Sequence, residues 1–137
     1  MKRGIMDEIN LKAEATKALE KAYSPYSKFK VGAAVLTESG NLFTGCNVEN
    51  VSYGLSICAE RTAITRAVAN EGPGMKLREV YVANCNEHGV SIPCSPCGAC
   101  RQFIAEFATP ATRIHYTGEN GDVTTSMSDL LPDGFTF

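Results

Sequence analysis

The chain lacks a continuous apolar segment near its start. Residues 1–20 interleave Lys2, Arg3, Asp7, Glu8, Lys12 and Glu14 with short apolar pieces, which leaves neither a signal-peptide core nor a membrane span. A cytoplasmic location is the expectation, with no membrane as partner. An excess of either charge is also missing. Thirteen Lys+Arg stand against 15 Asp+Glu, and a formal charge of −2 gives no overall attraction to polyphosphate, so no nucleic-acid partner is expected. Repeats, linkers and low-complexity tracts are absent, and 137 residues suit one domain over 1–137 with a core of ordinary size. Histidine is scarce. His88 and His115 have no ligand spacing to one another and are assigned nothing.

What is present reads as an ordinary globular composition, 44% hydrophobic and 20% charged. Leu11, Ala15, Ala18, Leu19 and Ala22 recur at three- and four-residue intervals, predicting a helix from about Asp7 to Ala22 that Ser24-Pro25 stops. Lys30 to Thr37 is a small-apolar run. The turn signal Glu38-Ser39-Gly40-Asn41 separates it from a second run through Leu42, Phe43 and Cys46, so a hairpin of two buried strands is predicted. Helices are predicted over Cys58–Ala69 and Gly98–Phe107, and strands over Val80–Ala83 and Arg113–Tyr116. The order α-β-β-α-β-α-β predicts an α/β sheet with helices on its faces and crossovers joining its later strands.

Six cysteines in a chain expected to be intracellular point to metal or thiol chemistry more than to disulfides. Cys97-Gly98-Ala99-Cys100 places two sulfurs on one side of a helix start, where unpaired amides and the dipole favour the thiolate, and Pro96 suits that start. Cys58-Ala59-Glu60 opens the other central helix. If adjacent parallel strands feed both helices, their N-termini converge and Cys58 supplies a third sulfur. Three protein ligands leave the fourth position of a catalytic zinc for water, whereas a structural zinc is closed by four. Cys94 keeps an alternative open, because with Cys58, Cys97 and Cys100 it makes four sulfurs for a structural zinc or an iron–sulfur cluster.

These residues resemble the small zinc-dependent cytidine deaminases of the homotetrameric type. The likeness runs through Tyr23-Ser24-Pro25-Tyr26-Ser27, Val31-Gly32-Ala33-Ala34, Gly45-Cys46-Asn47-Val48-Glu49-Asn50 and Cys58-Ala59-Glu60-Arg61 to Ser95-Pro96-Cys97-Gly98-Ala99-Cys100-Arg101-Gln102. The resemblance implies a three-layer αβα fold with a mixed central sheet of about five strands. It implies one Zn²⁺ per chain on Cys58, Cys97 and Cys100, and hydrolytic deamination of cytidine and deoxycytidine in pyrimidine salvage, with release of ammonia. In that chemistry a zinc-activated hydroxide attacks C4, and Glu60, not itself a ligand, carries the proton to N3 and helps ammonia leave. Asn47 and Glu49 hydrogen-bond the ribose, Phe29 lies beside the base, and backbone groups near Ala59 and Ser95 read the pyrimidine edge. A homotetramer is implied, in which a neighbour's Phe135 covers the base; Phe137 is the second choice for that position.

A carboxylate at position 49 suits a neutral sugar hydroxyl and repels phosphate, which agrees with a nucleoside substrate. Three thiolates with Zn²⁺ carry a net charge of −1, and Arg61 is expected to offset part of that excess from behind the sulfurs. Cys46 and Cys85 are read as core residues, and Tyr26 and Tyr53 as core or rim aromatics. Lys30 departs from the family's usual proline, which leaves a modified cytosine nucleoside or a peptidyl nucleoside antibiotic as an alternative substrate.

Overall fold

A computed structural model describes residues 9–137. Its first helix, α1 (Leu11–Leu19), begins where the Asn10 side chain accepts a hydrogen bond from the Ala13 amide at 3.0 Å, an ordinary N-cap. The helix is shorter than its periodicity predicts. Asp7 and Glu8 of the expected helix lie outside the described residues. At the other end Tyr23 already donates its amide to Asn47 O and bridges Val48, so the chain has left the helix before Ala22.

Strands β1 (Lys30–Thr37) and β2 (Leu42–Cys46) form the predicted hairpin, turning through Gly40 at φ +88°. Helix α2 (Ala59–Glu71) follows, then β3 (Leu77–Cys85), α3 (Gly98–Phe107), β4 (Ala108–Gly118), β5 (Gly121–Thr125) and the short α4 (Met127–Leu130). The sheet is mixed, with order β2-β1-β3-β4-β5; only β3 and β4 are parallel. Side chains alternate across it with period two. Ala33, Val35, Val80 and Val82 face Ala63, Ile64, Ala67 and Ile104 of α2 and α3. Ala34, Leu36, Tyr81 and Ala83 face Leu11, Ala15 and Leu19 of α1. Helices on both faces make the three layers expected.

Two glycines set how closely the layers approach. A Cβ at Gly32 would stand 2.0 Å from Ala15 O of α1, and one at Gly45 would stand 2.5 Å from Ala63 N of α2. Each helix backbone therefore rests directly on a strand, an approach that only glycine permits.

The two helix starts converge by a route other than the one predicted. The strands feeding α2 and α3 are β2 and β3, and they are not adjacent, because β1 lies between them and is antiparallel to both. Two antiparallel reversals restore the direction, so β2 and β3 point the same way and both helices start at one end of the sheet. Convergence thus arises without adjacency. Pro96 also lies outside α3, two residues before Gly98.

Candidate active site

Cys58 is the N-cap of α2 and Cys97 the N-cap of α3, positions usually given to Ser, Thr, Asp or Asn. The cap geometry aims a side chain back over unpaired helix amides, and here those side chains are thiols. Cys97 Sγ accepts from the Cys100 amide at 3.4 Å, Cys58 Sγ lies 4.0 Å from Cys97 Sγ, and all three sulfurs lie within 4.8 Å of one another. Thiolates 2.3 Å from a tetrahedral centre stand about 3.8 Å apart, so the trio has the dimensions of a zinc site. Cys58 is drawn down to about 5, first by the hydrogen bond from the Cys100 thiol, against the cost of burial, and then by Arg61. The same bond and burial push Cys100 up.

Cys94 is not a member of the trio; its thiol lies 3.8 Å from Ser95 O. The four-sulfur closed site is therefore corrected to three sulfurs. Cys46 and Cys85 are half-buried strand-end residues, less deeply set than core cysteines, and also outside the trio.

Arg61, in the first turn of α2, donates from Nη2 to Ser56 O at 3.1 Å and to Cys58 Sγ at 3.8 Å. Its Nε is buried with no hydrogen-bond partner among the described residues. A desolvated cation held against sulfur fits thiolates better than thiols.

Glu60, in the first turn of α2, is only 4% exposed. Burial raises its pKa, and the negative charge at Cys58 adds to the rise. It lines a cavity of about 230 Å³ together with Cys58, Cys97, Ala59, Asn47, Glu49, Ser56, Ile57, Cys94, Ser95, Val31 and Val82. Residues from five separate stretches of sequence thus share one hollow.

Glu49 is held firmly. Its Oε1 accepts from the amides of Tyr26 at 3.0 Å and Ser27 at 3.1 Å, and its Oε2 accepts from Ser27 Oγ. The Ser27 hydroxyl is the chief cause that keeps Glu49 below the usual carboxylate range. Asn47 clamps the chain entering β1, accepting from Val31 N and donating to Phe29 O, both at 2.9 Å. Glu49 Oε2 and Asn47 Oδ1, each accepting one bond, still have a free lone pair, and the Asn47 amide keeps a second N–H.

Two predicted substrate contacts lie apart from this cavity. Phe29 is half-buried beside it through the Asn47 clamp and does not line it. Phe135 is 71% exposed in the C-terminal segment, against Gln102 of α3. Other contributors escaped the sequence reasoning. Val31, Val82 and Ile57 line the cavity as apolar walls, and apolar residues in strands carry no signal of which cavity they face. Asn84 and Arg101 fix the segment ahead of α3. Asn84 exchanges two hydrogen bonds with the Ile92 backbone at 2.8 and 3.0 Å, and Arg101 reaches Pro96 O at 2.8 Å and Ser95 Oγ at 3.0 Å. A lone Asn closing an apolar strand run was the available signal for Asn84.

Three sulfurs on two helix starts, with a buried carboxylate opening into the same hollow, define a metal-assisted hydrolase of the zinc-deaminase class. A family model described as the cytidine and deoxycytidylate deaminase zinc-binding region matches residues 6–116. The chain is 45% identical over 132 residues to the cytidine deaminase of Sporosarcina psychrophila, covering 96% of this chain and 93% of that one. The crystal structure of cytidine deaminase from Burkholderia pseudomallei superposes with a TM-score of 0.80 at 46% identity, over 91% of this chain and 96% of that one. That from Mycobacterium tuberculosis gives 0.78 at 37%, over 95% and 100%. The chain belongs to the cytidine and deoxycytidylate deaminase family of zinc enzymes.

Proposed function

We propose that this chain hydrolyses cytidine and deoxycytidine to uridine and deoxyuridine with release of ammonia, using one zinc ion on Cys58, Cys97 and Cys100. The observation that carries the reading is the opening of Glu60, almost wholly buried, into the same cavity as Cys58 and Cys97 of the sulfur trio. When bound, zinc supplies the Lewis acidity that makes water nucleophilic near neutral pH.

The chain's own residues do the rest. Glu60 accepts one proton of the attacking water and delivers it to N3, then takes the remaining proton of the C4 hydroxyl and passes it to the amine that leaves as ammonia; its raised pKa brings donor and acceptor roles closer to neutrality. Glu49, kept ionised by Ser27, accepts from a ribose hydroxyl, and Asn47 offers its remaining N–H to the same sugar. Glu49 also disfavours a phosphate on that sugar. Backbone groups near Ala59 and Ser95 read the pyrimidine edge, and Arg61 offsets the excess charge of the thiolates.

The enzyme is read as a homotetramer acting in the cytoplasm in pyrimidine salvage, one domain over residues 1–137. Among the described residues no helix is long and apolar enough to cross a membrane. Tyr23, Tyr26, Val51, Tyr53, Leu55 and Ile57 are exposed near the cavity, Tyr53 at 78% and Val51 at 77%, a patch of the kind that marks a subunit interface. A second hollow lined by Tyr26, Tyr53, Glu49 and Ser56 adjoins the first through the last two residues. A neighbour's Phe135 and the chain's own Phe29 are the proposed covers for the base. Solution mass tests the assembly.

Glu60→Gln is the test of the mechanism. The variant keeps one zinc per chain by metal analysis and loses about 10²–10⁴-fold or more of cytidine turnover. Wild-type turnover by the zinc-loaded variant would refute the role of Glu60.

A further inference from the structure

The cavity carries more information than the reaction uses. Two of its walls are the start of α2, Ser56 to Glu60, and the segment Cys94–Cys97 ahead of α3, and they meet where Cys58 and Cys97 stand 4.0 Å apart. A pyrimidine ring seated with C4 at that junction has N3 and C5 as the two neighbours of C4, one toward each wall. With N3 turned to Glu60 on the α2 wall, C5 faces the other. Of the side chains on that second wall, Cys97 belongs to the sulfur trio and Ser95 Oγ is drawn to Arg101 at 3.0 Å. Only Cys94 is left to meet C5.

We infer that Cys94 is the specificity-determining residue that sets which substituents at C5 of the cytosine ring the enzyme accepts. The inference rests on the reading of the cavity as a cytosine-nucleoside site. Its physical basis is that the wall cannot retreat. The Cys94 amide donates to Thr117 O of β4 at 2.9 Å, Asn84 of β3 grips Ile92 two residues earlier, and Arg101 of α3 holds Pro96 O two residues later. Three elements thus pin the backbone on both sides of Cys94. A larger C5 group must find its room against the side chain at 94, so side-chain volume there decides acceptance.

The test compares wild type, Cys94→Ala, Cys94→Ser and Cys94→Leu, each zinc-loaded. The ratio of kcat/KM for 5-methylcytidine to that for cytidine is measured, together with calorimetric affinities for uridine and 5-methyluridine. One methyl group in a pocket is worth roughly 10–200-fold. Cys94→Ala therefore raises the ratio about 10-fold or more, Cys94→Leu lowers it below wild type, and the near-isosteric Cys94→Ser leaves it in place. The two products follow the same order of affinity; if Cys94→Leu does not fold, Cys94→Val takes its place. An unchanged ratio in both the smaller and the larger variant, or a rise with Ser equal to that with Ala, overturns the inference. If wild type failed to turn over cytidine at all, the reading of the site would fall, and the uridine and 5-methyluridine affinities would still judge Cys94.

Discussion

Replacing Gly45 by alanine tests how the fold places the chemistry. The added Cβ would stand 2.5 Å from Ala63 N, 2.8 Å from Ala59 O and 2.9 Å from Thr62 Cβ. The nearest of these falls about 0.9 Å short of the 3.4 Å at which ordinary contact begins. Two of the three are helix backbone, which cannot rotate aside, so α2 must lift from β2. Overpacking of this kind costs about 1–3 kcal/mol, which for a chain of this length lowers Tm by roughly 3–12 °C. The functional loss is larger in proportion, because Ala59 follows the Cys58 cap and precedes Glu60. A shift of α2 approaching 1 Å displaces both a metal ligand and the proton carrier, and misplacement on that scale costs on the order of 10²-fold in rate. Calorimetric melting, zinc content and cytidine turnover are the assays. Gly74→Ala is the control, since a Cβ there meets nothing within 4 Å and Gly74 has no left-handed φ. Gly45→Ala melting and turning over like Gly74→Ala would refute the close-approach argument.

Arg61→Ala is expected to weaken zinc retention about 10–100-fold, and to move the acidic limb of the pH–rate profile to higher pH, because the site becomes more negative and holds its protons harder; zinc competition and a pH profile check this. Ser27→Ala removes the largest cause of the lowered pKa of Glu49. A lowered carboxylate stabilises the fold above its unfolded pKa and loses that contribution as pH falls through the folded value. The Tm gap between wild type and Ser27→Ala is therefore widest near neutrality and closes in acid, and KM for cytidine rises in the variant. Asn84→Ala strands the Ile92 amide and carbonyl, costing about 1–3 kcal/mol in denaturant melts. Chelation abolishes turnover and lowers Tm, and equimolar zinc restores both.

The sequence disclosed the elements whose burial pattern is strong and the residues whose type is unusual for their place. The Lys30–Thr37 strand and the Gly98–Phe107 helix have the predicted bounds, since one is a continuous apolar run and the other begins at a capped cysteine. The end of the sheet was not legible. β5 (Gly121–Thr125) has one large apolar residue, Val123, and lies at an edge, while α4 spans four residues, too few for a helical period to register. The three ligands were legible because Cys97 and Cys100 keep ligand spacing at one helix start and Cys58 stands at the other. The clamps Asn84 and Arg101 were not, because each acts on backbone groups whose positions only the folded chain defines.

The placement of β1 between β2 and β3 has a bearing on how the metal is acquired. Cys58 and Cys97 are 39 residues apart in sequence and are delivered by two arms of the chain that meet only after the hairpin has been flanked by its third strand. No contiguous fragment short of that assembly contains a preformed ligand set. Zinc uptake thus gauges a correctly threaded β2-β1-β3 unit, and a refolding chain that captures stoichiometric metal has already closed the loops that join those strands.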